Sequence, residues 1–179
     1  MSLHIALIRG INVGGNKKIA MADLRDLLTK LGFTEARSLL QSGNLIFQAQ
    51  KKTTAQLESL LEKETQKRLG MEVTYFVRTP SEWQSLIAQN PFRKEAERDP
   101  GHLIVLFLKN VPDAGNVDAL RAAISGREVI QAKGNHAYVV YPDGQGRSRL
   151  TNTLIEKKLG TRATGRNWNT VLKLAALAK

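Results

Sequence analysis

The sequence predicts an α+β fold in which one β-α-β-β-α-β unit is used twice, each copy followed by an extra helix. Three observations carry that prediction. Short β-branched and apolar runs alternate with helical stripes in the same order in both halves. Two hairpin turns share a Gly-Asn pair, Gly43-Asn44 and Gly134-Asn135, 91 residues apart. A Thr-x-x-x-Trp-x-x-[Leu/Val]-[Ile/Leu] pattern recurs at Thr79 and Thr164, 85 residues apart, pairing Trp83 with Trp168. Two tandem ferredoxin-like units related by internal duplication account for all three; the alternative is one mixed α+β domain without internal symmetry.

Residues 3–8 and 45–49 read as short apolar strands, and Val73 to Val77 alternates in the same manner. Met21, Leu24, Leu27, Leu28 and Leu31 share a helical face that Gly32 terminates. Leu57, Leu60, Leu61 and Leu69 form another, from Thr53 or Thr54 to Gly70. Thr79, Pro80 and Glu82 supply cap, first-turn proline and capping-box partner for a helix around Trp83. The pattern then restarts. Leu103 to Leu108 is a strand, and Val117, Leu120 and Ile124 mark a helix ending at Gly126. Arg127 to Gln131 with Ala137 to Tyr141 make a hairpin; Leu150, Leu154 and Leu159 mark a helix, and Trp168, Val171, Leu172 and Ala175 the last one. The predicted organisation is unit 1 over 1–89, a charged linker over 90–100, and unit 2 over 101–179 with a basic C-terminal part.

A chain of 179 residues with 42% apolar content can bury a core of this size. Its longest clean apolar run, Leu103 to Leu108, is far short of the ~20 residues a spanning helix needs, so no membrane partner is expected. Arg9 and Gly10 break the N-terminal apolar stretch too early for a signal peptide, and the absence of cysteine suits a reducing, cytoplasmic setting. Lys and Arg number 27 against 16 acids, a net charge of +11. From Gly144 to Lys179 there are eight basic residues and one acid, Glu156. Such an imbalance speaks for anionic partners.

Two loop clusters collect the polar residues. In the first unit, strands one and two run parallel, so the loop RGINVGGNKK after strand one meets the hairpin QSGN after strand two. This gathers Arg9, Asn12, Gly14, Gly15, Lys17 and Lys18 with Gln41, Ser42 and Asn44. Glycines allow backbone to approach a ligand, and amides and cations around them hold it. The alternative is an ordinary glycine turn with Asn12 as a local backbone cap. A nucleotide P-loop is disfavoured because Asn16 stands where the lysine belongs and no Ser or Thr follows Lys17. In the second unit, YPDGQGRSR and RATGRNWN are both expected to lead into helices at one end of the sheet. That would place Arg147, Ser148, Arg149, Arg162, Arg166 and Asn167 beside two helix N-termini, a setting for phosphate or nucleic acid, or else a solvated basic surface.

RGINVGG (Arg9 to Gly15), QSGN (Gln41 to Asn44), NPF (Asn90 to Phe92), P-x-G-x-G-R-S (Pro142 to Ser148) and RNWNTVLKL (Arg166 to Leu174) occur in this order along nearly the whole chain. Together they resemble the bacterial domain-of-unknown-function family 1697. The resemblance implies two ferredoxin-like halves and no settled activity, and draws attention to the first loop pair and to Arg166, Asn167 and Trp168.

Chemistry is sparse. His4, His102 and His136 have no metal-ligand spacing, so neither metal nor cofactor is expected. No nucleophile elbow is present. Two function classes follow: a binding module for an anionic partner, RNA or another phosphate-bearing ligand, and a small-molecule enzyme acting on a phosphorylated or carboxylated substrate. The first is preferred. Strands one and three offer Phe47 alone as a stacking aromatic, so any nucleic acid would be held by loops and charge, not on an open sheet.

Overall fold

The computed structural model describes residues 1–12 and 18–179, so Gly14, Gly15 and Lys17 lie outside the described residues. The chain divides into two compact units, Met1–Ser85 with Leu174–Lys179, and Leu86–Lys173.

In the first unit the order is β1 (Ser2–Ile8), α1 (Met21–Lys30), β2 (Thr34–Leu39), β3 (Asn44–Ala49), α2 (Thr54–Leu69) and β4 (Tyr75–Arg78), as predicted. The strands form an antiparallel sheet in the order β2-β3-β1-β4. Alternation along β1 sends Ala6 and Ile8 to the side where Leu45, Phe47 and Val77 meet Leu24 and Leu28 of α1 and Leu57 and Leu61 of α2. Ile5 and Leu7 are equally buried, so both faces of β1 are covered. Helix ends follow local rules. Thr53 and Gln56 form a reciprocal capping box, and Gly70 ends α2 in the left-handed region at φ 68°. β2 is the least regular strand, with a register shift between Thr34 and Arg37 and Glu35 at φ 51°.

The second unit contains α4 (Arg93–Arg98), β5 (Leu103–Leu108), α5 (Ala114–Ala123), β6 (Val129–Lys133), β7 (His136–Val140), α6 (Asn152–Leu159) and β8 (Ala163–Asn167). α4 lies in the stretch that reads as a linker. The unit boundary falls inside two further helices, α3 (Pro80–Ala88) and α7 (Trp168–Leu177). Its sheet repeats the first arrangement, β6-β7-β5-β8, antiparallel throughout. Ile104, Leu106 and Leu108 pack with Val117, Leu120, Ile155 and Leu159 of α5 and α6. Val105 and its cross-strand partner Tyr138 point the other way, and the Tyr138 hydroxyl donates to the Leu86 carbonyl at 2.6 Å.

Both sheets close their outer strand with carboxylates from the preceding helix. Glu62 and Glu58, one turn apart on α2, accept the N–H groups of Tyr75 and Val77 on β4 at 3.0 and 2.9 Å. On β8, Glu156 of α6 accepts the Ala163 N–H at 2.9 Å. These are outward-facing strand donors that a sheet edge otherwise offers to another chain.

The repeat is real in topology, but its residue matches differ from those the spacing predicts. Ile5 pairs with Arg78 and Val105 with Arg166, so these arginines are equivalent. Thr79 then matches Asn167, and each caps the helix that follows. Trp168 therefore corresponds to Pro80, and Trp83 to Val171. The hairpins also differ. Four residues, 40–43, join β2 to β3, whereas Gly134-Asn135 alone joins β6 to β7. Ile8 donates to Gly43 O and Leu108 to Asn135 O, so Gly43 matches Asn135, not Gly134.

Candidate functional site

The first loop pair converges through one side chain. The Asn12 amide donates to the Ile19 carbonyl at 2.8 Å and the Gln41 carbonyl at 2.7 Å, while the Ile19 N–H donates back to Asn12 Oδ1 at 2.9 Å. Asn12 so ties Ile19 to the loop after β2. Its φ of 56° is a conformation that asparagine tolerates better than most residues. Gly43 completes the junction. At φ +82°, a Cβ there would lie 2.9 Å from Ile11 Cδ1 and 3.0 Å from Ile8 Cβ. Only glycine fits without displacing the apolar floor of the loop.

Asn44 is fully buried and holds the turn together, donating to the Leu39 carbonyl at 2.8 Å and Ser42 Oγ at 3.0 Å. Asn12 and Asn44 thus build the edge. Arg9 and Ser42, half-buried, and Lys18 and Gln41, exposed, form its rim. The Arg9 backbone is anchored by donation to Thr74 O at 3.0 Å.

The second cluster does not assemble as the sequence suggests. ATGRN is strand β8, not a loop, and it pairs with β5. Since β7 and β8 are both antiparallel to β5, the start of β8 lies at the opposite end of the sheet from the end of β7. Arg162 is there, its carbonyl accepting the Lys109 N–H at 3.0 Å, far along the strands from Arg147 and Arg149. Ser148 caps no helix: it bonds the Glu128 carboxylate and accepts the Leu150 N–H at 3.0 Å, while Thr151 caps α6. Arg166 is buried, donating to Thr164 Oγ1 and Gly165 O at 2.8 Å each, and burial pushes its pKa down to about 10. Asn167 caps α7 by accepting the Thr170 N–H at 3.0 Å. Arg147 and Arg149 remain exposed.

Arg78, the equivalent of Arg166, is buried too. It donates to Val77 O at 2.9 Å and lies 3.6 Å from Glu58, and burial lowers its pKa against the raising effect of that acid. Two pairings escape the sequence reading. His102 Nδ1 lies 2.7 Å from Asp99 Oδ2, which the i,i+3 spacing could have suggested; Arg127 grips Asp143 at two points, with no such signal. Among the described residues no group of three or more His, Cys, Asp or Glu could hold a metal ion. No helix among them is long and apolar enough to cross a membrane.

Sheet order and loop placement define a tandem ferredoxin-like α+β protein whose polar groups gather at strand ends. The chain belongs to the family described as Protein of unknown function (DUF1697), which matches residues 1–138. RGINVGG, QSGN and NPF fall inside that match; the motifs from Pro142 onward follow it. Among solved structures the chain is similar to the conserved bacterial protein SP0830 from Streptococcus pneumoniae, with 24% identity, 99% of each chain covered and a TM-score of 0.76. That likeness shows the fold. No curated protein matches the chain.

Proposed function

We propose that the protein is a binding module for a small phosphate-bearing ligand, held where the loop after β1 meets the loop after β2. The observation that supports this is the Asn12 junction: an asparagine that spends its side chain on Ile19 and Gln41 presets the loop edge before any ligand arrives. Arg9 and Lys18 supply charge, and Gln41 and Ser42 supply hydrogen bonds. Gly14, Gly15 and Lys17 extend the same loop in sequence.

A thermal-shift screen of nucleotides and phosphorylated metabolites tests the reading. A stabilising ligand should lose its effect in Arg9→Ala and in Lys18→Ala. A shift that persists in both variants, or none across the screen, removes the proposal. Turnover of the stabilising compound would convert the module into an enzyme on the same substrate class.

An RNA reading draws on the exposed Arg147, Arg149 and Arg162 and the net charge of +11. It is the weaker one, because Arg166 is buried and Arg162 lies at the other end of the sheet. RNA binding indifferent to Arg9→Ala would favour it.

A further inference from the structure

A cleft of roughly 400 Å³ opens in the second unit between α4, the turn into β5, and the flanks of the β6–β7 hairpin. This is within the range of small-molecule sites. Its lining combines the charged Lys94, Arg98 and Arg127 with His102 and the apolar Val140 and Pro142.

The charges are unequally engaged. Asp143 occupies Arg127. Asp99 holds His102 by Nδ1, which fixes the ring and leaves Nε2 as its other hydrogen-bonding atom. Gly144, at φ +85°, makes the turn beside the ring, and His102 Nε2 lies in ordinary contact range of it. Lys94 and Arg98 are exposed, one helical turn apart, and no carboxylate pairs with either among the described residues. Glu95 and Asp99 are the acids of the cleft, and Asp99 is engaged with His102. The cleft therefore presents two cations without a paired carboxylate, Lys94 and Arg98, beside an apolar wall.

We propose that this cleft binds a small organic carboxylate, its head between Lys94 and Arg98 and its apolar body against Val140 and Pro142. A carboxylate matches the fork of Arg98, and an organic one also covers the apolar wall, which inorganic phosphate cannot. The P-x-G-x-G-R-S motif then gains a role. Pro142 lines the cleft, Asp143 takes Arg127 out of competition, and Gly144 makes the left-handed turn that follows them.

Two-dimensional amide spectra of the full chain, titrated with benzoate, acetate and inorganic phosphate, test this. Benzoate should shift the amides of Arg98, His102 and Val140 saturably and more tightly than acetate. Arg98→Gln, an exposed change, should weaken benzoate about tenfold, the loss of one charge-assisted hydrogen bond. Lys133→Gln, exposed on β6, should leave it unchanged. Absence of saturation at millimolar benzoate, or equal affinity in Arg98→Gln, overturns the proposal, and tighter phosphate than benzoate at the same amides overturns the carboxylate. The outcome is independent of Arg9 and Lys18 in the first unit.

Discussion

Asn12 and His4 show how much a single side chain can hold. Asn12→Asp keeps the acceptor for Ile19 but loses both donations and sets a carboxylate against two carbonyls. Asn12→Ala loses all three bonds and strains a left-handed backbone. Each is expected to destabilise by about 2–3 kcal/mol in urea titrations, with the Ile19 amide exchanging faster. His4 is 2% exposed, its ring stacked on Phe47 with centroids 5.9 Å apart, and Nδ1 has no hydrogen-bond partner among the described residues. Burial lowers its pKa below 6.5, more than the Ser2 backbone and the Glu82 charge raise it. The unfolded chain therefore binds more protons just below pH 6.5. The stability due to neutral His4 is full above that pH and declines as pH falls toward the lowered folded value. His4→Phe should remove this part of the slope in urea midpoints measured from pH 8 to 5; an unchanged slope would refute the assignment.

At the scale of elements, the outer strands depend on α2 and α6. Glu58→Ala leaves the Val77 N–H and Arg78 without their acid, so a loss of about 3–5 kcal/mol is expected, as for other broken buried pairs. Glu62→Ala, at a part-buried bond, should cost about 1–2 kcal/mol. Amide exchange should separate them, Val77 quickening in the first and Tyr75 in the second. None of this is visible in the sequence, where the leucine stripe marks the helix and nothing singles out Glu58 or Glu62. What is legible is local: the capping box at Thr53, the Thr79–Glu82 pair, the stop at Gly70 and the apolar run of β5. What is illegible depends on distance. Asn12 finds a partner 29 residues away, and β8, a Thr-Gly-Arg-Asn stretch with little β character, is a strand because β5 needs a neighbour. Reading β8 as a loop left Arg166 at the surface, and the 85-residue recurrence misaligned the two tryptophans. The meeting of the two first-unit loops was legible because strand order alone requires it.

For the whole molecule, the charge surplus predicts weak, salt-sensitive adsorption of single-stranded RNA. The pair Arg147→Ala and Arg149→Ala should flatten the log–log salt slope by about 1.4, at roughly 0.7 per phosphate contact. Arg166→Ala should lower the melting temperature and leave that slope alone; a flattened slope there would contradict its burial. The closed strand edges also govern how copies of this chain can meet. With the outward donors of β4 and the first of β8 held by carboxylates and β2 kinked at Glu35, β6 is the regular outer row among the described strands, and Val129 on it is 47% exposed. Fibrils or runaway oligomers, if the protein is pushed toward them by concentration, should grow from that hairpin. Val129→Lys, which sets a charge on that edge, would then act as a brake on polymerisation, whereas Glu58→Ala with Glu62→Ala would give growing ends a further place to start.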